Sequence, residues 1–182
     1  ARVAEFEADG LRVVFHAHGR VAARVVGVVH LAVVEGDLAV AAEESRFATP
    51  GVNIGLFCST PMVALSRNLG RKQAFEMLVT GEFIDAEQAR EKGLVNRVAT
   101  PEELDAEVER LVASIVAKPA VALAVGKALF YRQLEKTIVE AYDDAGRTMA
   151  CNMMDAAALE GVQAFIDKRP PGWARRPGSF MV

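Results

Sequence analysis

The chain has 182 residues, 52% of them hydrophobic, which is the length of one domain with room for a helical extension and enough apolar side chain for a real core. Acidic residues outnumber basic ones by 24 to 21, giving a formal charge of −3 and a pI near 5.7, so the basic face that selects nucleic-acid phosphates is not expected. The two cysteines, Cys58 and Cys151, are far apart and form no CxxC, which argues against a disulfide framework or a zinc site and fits a reducing cytoplasm.

Residues 1–10, ARVAEFEADG, carry acids where a secretion signal has an apolar run. Short apolar runs at 11–15 (LRVVF), 21–26 (VAARVV) and 37–42 (DLAVAA), flanked by glycine or charge, read as strands covered on both faces. The longest apolar block, VVGVVHLAVV at 25–34, falls far short of the ~20 residues of a bilayer span. It reads as buried strand, or as strand plus the start of a helix, and no membrane partner is expected.

From Thr49 the pattern turns helical. Thr60 is placed to cap a helix with Pro61 at its first position and Gly70 at its end. RKQAFEMLVT, 71–80, reads as a second helix closed by Gly81. A third spans 85–92, capped by Asp85 and stopped by Gly93, and LVNRV, 94–98, reads as a short strand. The clearest helix covers 101–117, where Leu104, Val108, Leu111, Val112, Ile115 and Val116 recur at helical spacing and acids crowd the N-terminal end. Pro119 opens a helix over 120–131. Two more follow over 136–151 and 160–169, the last stopped by Pro170 and Pro171. Strands with crossovers, then a helical tail, indicate an α/β chain with its division between 1–118 and 119–182.

FATPGVNIGL from Phe47, AFEMLVTG from Ala74, AEQAREKGLVNRV from Ala86 and EGVQAFIDKR from Glu160, in that order, resemble the enoyl-CoA hydratase/isomerase, or crotonase, superfamily. The resemblance covers about residues 21–173, and TPGVNIGLFCSTP at 49–61 is similar to one branch of the family in particular. The fold implied is α/β: a crotonase-like ββα spiral core with a C-terminal helical trimerisation region. The partner implied is an acyl-CoA thioester, with coenzyme A entering as part of the substrate and no separate cofactor. The assembly implied is a homotrimer or a dimer of trimers. The activity implied is that of an enzyme whose backbone oxyanion hole stabilises a thioester enolate. One donor belongs to a loop resembling F-S-A-G-x-D, the other to the start of a helix whose dipole adds to it. The alternative is a CoA-binding, non-hydratase member of the same fold, regulatory or a pseudoenzyme.

Hydratases of the family use two glutamates to handle the water and its proton. Carried onto this chain, the first falls on Leu31 and the second on Gly51. Neither moves a proton, so no catalytic residue is identifiable, and Gly51→Glu is the substitution that would restore an acid. Glu35 and Asp37 stand nearby in sequence and read as surface or structural acids. The substrate pocket implied is lined by His16, Gly51, Phe57, Cys58 and Ser59. Cys58 and Ser59 have no histidine beside them in sequence, so they read as pocket wall rather than nucleophiles. His16 and His18 share a face of a strand, but with no third ligand in view no metal is expected.

The resemblance gives Phe165 and Lys168 a part in holding the CoA adenine and phosphates. A solvated charged end is the competing reading of KRPPGWARR, 168–176. The patterns at 13–19 and 26–37 look like the family's two oxyanion-loop motifs with their connecting residues gone. The chain is therefore expected to be interrupted between 14 and 30, with steps longer than the ~3.8 Å of a peptide link. Outright loss of both loops would strand buried backbone without partners.

Overall fold

The structure is a computed structural model and describes residues 2–8, 11–17 and 36–174. The strand expected at 21–26, the apolar block at 25–34, and His18, Leu31 and Glu35 lie outside the described residues. So does the expected interruption between 14 and 30, except that its first residues belong to one unbroken strand, Leu11–Ala17. Among the described residues the chain divides into two compact units, one of residues 2–7 and 11–111 and one chiefly of residues 112–174. They part inside a helix, whereas the sequence reading places the division after that helix.

The first unit is built on a four-stranded sheet. Its strands, in the order β1 (Arg2–Ala8), β2 (Leu11–Ala17), β3 (Leu38–Ala42) and β6 (Arg97–Ala99), are hydrogen-bonded neighbours. β2 and β3 run parallel with Phe15 opposite Val40, and β3 and β6 run parallel with Val40 opposite Arg97. A parallel strand is covered on both faces, and β3 fits that rule: Ala39, Val40, Ala41 and Ala42 are all buried. Its small side chains contribute to a core shared with the helices. Ala39 and Ala41 join one core cluster with Phe47, Leu65, Leu69, Ala74, Met77, Leu78, Ala86 and Ala89. Phe47 alone contributes roughly 1.5–3 kcal/mol by its burial.

Asn96 fastens this sheet. Its Oδ1 accepts from the Ala39 N–H at 2.7 Å, while its own N–H donates to the Ala39 carbonyl at 2.8 Å. One residue thus supplies both halves of a ladder step just before β6 begins. This is why the strand expected at 94–98 starts later: Leu94 and Val95 are buried as anchors, and regular pairing begins at Arg97. A second, two-stranded antiparallel sheet pairs β4 (Arg46–Phe47) with β5 (Ile84–Asp85).

The helices of this unit follow local chemistry. α1 spans Ser59–Asn68 and is capped at Cys58, not at Thr60 as the sequence suggests. Pro61 still lies in the first turn, where a missing N–H costs nothing. The helix ends at Leu69, whose extended backbone and buried side chain turn the chain, and Gly70 caps the next helix instead. α2 is Arg71–Thr80 and closes on Gly81, as expected. α3, Ala86–Lys92, carries a reciprocal cap: Gln88 N–H donates to Asp85 Oδ1 at 2.8 Å, and Asp85 N–H donates to Gln88 Oε1 at 3.0 Å. Gly93 ends it at φ 85°, a left-handed value that favours glycine. α4 spans Leu104–Val116, starting later than the 101 expected; of the stripe read from the sequence it buries Leu104, Val108 and Leu111, while Val112, Ile115 and Val116 are half-buried.

The second unit holds α5 (Ala120–Leu134), α6 (Ile138–Met153) and α7 (Ala156–Ile166). The last begins and ends earlier than the 160–169 expected, because Asp155 caps it through the Ala157 N–H. α5 and α6 are stapled by one carboxylate. Arg132 donates to Asp144 through Nε at 2.8 Å and Nη2 at 3.1 Å, and Lys136 Nζ lies 2.6 Å from Asp144 Oδ2. Thr137 and Glu140 form a second reciprocal cap at the start of α6. No single helix among the described residues is long and apolar enough to cross a membrane.

The staple has a pH signature. Arg132 first, and then Lys136, hold the Asp144 carboxyl well below the usual carboxylate range. A depressed folded-state pKa gives stability that is complete above the unfolded value, near 3.9, and is lost as pH falls through the folded one. The melting-temperature advantage of the native chain over Asp144→Asn should be constant from neutral pH to about 5 and shrink progressively below about 4. An advantage independent of pH in thermal melts would contradict this account.

Candidate functional site

The turn between β4 and α1 is assembled from backbone and small polar groups. Thr49 is buried, and its Oγ1 donates to the Met77 carbonyl at 2.8 Å, tying the start of the turn to α2. Pro50–Ile54 then forms a single 3-10 turn, and Gly55 reverses the chain at φ 79°. Asn53 Nδ2 donates to the Gly81 carbonyl at 3.3 Å, fixing the far side of the turn to the end of α2. Two anchors on one helix make this loop a rigid shelf.

Gly51 is the closing point. Its carbonyl accepts from the Leu56 N–H at 2.9 Å and its N–H donates to Cys58 Sγ at 3.3 Å. A β-carbon at this position would lie 2.6 Å from the Leu56 carbonyl oxygen and 2.7 Å from Cys58 Sγ. The first of these is backbone and cannot swing aside. The turn is therefore shaped around a missing side chain, which corrects the expectation that Gly51→Glu could restore an acid here.

The structure brings Gly51, Phe57, Cys58 and Ser59 together in this turn. Phe57 is largely exposed, Cys58 is half-buried with its sulfur accepting the Gly51 N–H, and Ser59 Oγ donates to the Phe57 carbonyl at 3.3 Å. Ile54 and Leu56 stand out into solvent beside them. His16 lies on β2 opposite Ala41 in the parallel register. Among the described residues no group of three His, Cys, Asp or Glu could hold a metal ion.

Phe165 and Lys168 lie on the second unit, at and just past the end of α7, and both are exposed. Beside them the sequence reading missed a polar clamp. Glu160 receives two bonds from Arg169, at 2.6 and 3.0 Å, and one from the Gly172 N–H at 2.8 Å. Arg169 chiefly, and then the Gly172 N–H, push the Glu160 carboxyl down to about 2. Glu160 and Arg169 are nine positions apart, which no helical neighbour rule covers. Asn96 was missed for a related reason: its partner, Ala39, lies far away in sequence.

A sheet whose strands β2, β3 and β6 run parallel, packed with helices and followed by a helical region, defines this chain as an α/β protein of the crotonase fold. The family model described as enoyl-CoA hydratase/isomerase matches residues 13–176, and the chain belongs to that family. Among curated relatives, enoyl-CoA hydratase domain-containing protein 3, mitochondrial, of Mus musculus is 48% identical over 138 residues, covering 76% of this chain and 46% of the relative. The Homo sapiens protein of that name is 45% identical over 141 residues, covering 78% and 46%. This is the branch that residues 49–61 resemble. Among solved structures, an enoyl-CoA hydratase of Mycobacterium smegmatis superposes with a TM-score of 0.76 at 63% identity, covering 80% of this chain and 57% of that one. The human domain-containing protein 3 superposes at 0.74 and 44% identity, covering 79% and 57%.

The chain spans about half the length of the curated relatives it matches. Those relatives carry "mitochondrial" in their names, which overturns the cytoplasmic expectation. That expectation rested on unpaired cysteines, and cysteine usage reports only that thiols stay reduced, not which reducing compartment holds them.

The glycine at 51 gives a direct test. Gly51→Ala should destabilise the chain by roughly 1–3 kcal/mol, the usual cost of forcing atoms into a filled space. It should appear as a lowered urea midpoint with unchanged slope. Gly51→Glu should be worse; a glutamate variant as stable as the native chain would show that the turn opens freely.

Proposed function

We propose that this chain is an acyl-CoA-binding enzyme of its family that stabilises a thioester enolate with backbone N–H donors and does not hydrate by paired glutamates. The observation that carries this reading is Gly51, whose place has no acid and no room for one. Preorganised donors aimed at a developing oxyanion are worth roughly 3 kcal/mol each. They need no carboxylate, imidazole or amine, and the turn at 47–61 offers none of these. No separate cofactor is proposed, since coenzyme A arrives with the substrate. Phe165 and Lys168 are proposed to meet its adenine and phosphates.

A second reading is a CoA-binding member without hydratase turnover, regulatory or a pseudoenzyme. The closure of the turn over Gly51 favours it specifically. Hydration of crotonyl-CoA should run at least about a hundredfold slower than in a two-glutamate relative, because general acid–base catalysis contributes 10²–10⁴. Gly51→Glu should not recover it. Turnover matching a two-glutamate hydratase would sink both readings. CoA binding by calorimetry with no turnover on any enoyl-CoA would select the second.

We also propose assembly as a homotrimer or a dimer of trimers. Phe130, Leu134, Ile138, Val139 and Tyr142 project into solvent from α5 and α6, more apolar surface than a lone helical layer carries. Light scattering at micromolar concentration should give three or six times the chain mass; a monomer would count against it.

A further inference from the structure

Among the described residues, Lys168 is the one non-glycine with a positive φ, 54°. It stands where the chain turns away from α7. Lys168 N–H donates to the Phe165 carbonyl at 3.2 Å, and Arg169 N–H reaches back to the Ala164 carbonyl at 3.0 Å. This helix-ending turn usually takes glycine, because a β-carbon is disfavoured in the left-handed region. A lysine there persists only if its surroundings hold it.

Those surroundings are the Glu160 clamp. Arg169 meets Glu160 with two parallel bonds, and Gly172 N–H donates to the same carboxylate. Arg169 Nε also reaches Asp167 Oδ2 at 3.3 Å. Both nearby carboxylates are thus engaged by Arg169, and Lys168 makes no ion pair among the described residues. The following segment is stiffened by Pro170 and Pro171 and ends with Trp173 pressed on Gly161, where an added β-carbon would lie 2.8 Å from the indole Cη2. Trp173, Gly161, Val162 and Phe165 line a recess of about 370 Å³. The strap therefore does two things at once: it fixes the backbone of Lys168, and it builds a wall of an apolar recess beside Phe165.

We propose that Glu160 is a positioning residue for the nucleotide end of the thioester: by clamping Arg169 and Gly172 it holds Lys168 in its left-handed turn and Trp173 against α7. Affinity for CoA then depends on the clamp and not on the lysine charge alone. This rests on the acyl-CoA reading above.

The test compares the native chain with Glu160→Gln, Lys168→Gly and the double variant. Calorimetry with CoA is set beside crotonyl-pantetheine, a thioester lacking the nucleotide. Each single variant should weaken CoA about tenfold, the size of one charge-assisted contact. The double variant should be no weaker than the worse single one, and crotonyl-pantetheine should bind all of them alike. Trp173, the chain's only tryptophan, should shift its emission to the red in Glu160→Gln and stay unchanged in Lys168→Gly. Arg169→Lys, which keeps the charge but loses the parallel bonds, should fall between native and Glu160→Gln and serves if the latter folds poorly. Native-like CoA affinity in Glu160→Gln, or equal losses for both ligands, would overturn the positioning role. Failure of the native chain to bind CoA at all would instead overturn the acyl-CoA reading.

Discussion

The first unit depends on the two-way bond between Asn96 and Ala39. β3 is buried on both faces, so its backbone has no water to fall back on, and every polar group along it needs a partner within the protein. β6 is only Arg97–Ala99, too short to satisfy the strand alone. Asn96 extends the ladder with a side chain that accepts as a carbonyl would, at 2.7 Å. With β3 so held, its alanines share one core with α2 and α3, and α2 in turn carries the two anchors of the acid-free turn, Thr49 to Met77 and Asn53 to Gly81. A sheet bond thus sets the position of the turn through a helix.

That chain of supports gives the turn its chemical character. A loop that carried a catalytic acid would need space for the side chain and freedom to adjust as a proton moves. This one has neither at Gly51, because its carbonyl and N–H are both engaged and its open side faces the Leu56 carbonyl and Cys58. What such a shelf offers a ligand is shape and apolar contact, from Phe57 and its exposed neighbours Ile54 and Leu56. On the proposed reading, polarisation of a thioester falls to fixed backbone dipoles, which cost no reorganisation at the moment of reaction. The proposed chemistry and the observed sterics point the same way.

Much of this was legible in the residues, and the rest was hidden for definite reasons. Asp85, Gly81 and Gly93 announce themselves because capping is local: partner and signal lie within one turn. The apolar stripe Leu104, Val108, Leu111 is legible because burial follows helical periodicity. The cap at Thr60 was misread because Pro61 was assigned the first helical position, whereas a proline is tolerated anywhere in the first turn. At Gly51 the missing acid was visible, but the filled space was not, since Leu56 and Cys58 fold back on it in a way no pattern encodes. Asn96 and Glu160 act on partners far away or at non-helical spacing. The left-handed turn at Lys168 gave no sign, because the residue type that marks such a turn is glycine.

The two units differ in what holds them. The first has a contiguous core around β3, whereas among the described residues of the second only Ala141 and Ala164 are buried hydrophobics. Its geometry is instead set by carboxylates: Asp144 between α5 and α6, Glu140 at the cap of α6, and Glu160 of α7 holding the strap. Exposed ion pairs are each worth about 0–1 kcal/mol, while fixing each residue's backbone costs about 1–2 kcal/mol. A few staples cannot offset that cost over three helices. They can select one geometry among several, and that is the role their positions suit, since one joins two helices, one caps a helix and one ties the strap to α7. The missing free energy is available from the apolar side chains left in solvent, from Phe130 to Phe165, once they are covered. On the proposed assembly, the staples shape the helical layer and association stabilises it, so weakening either should loosen the strap that presents Lys168.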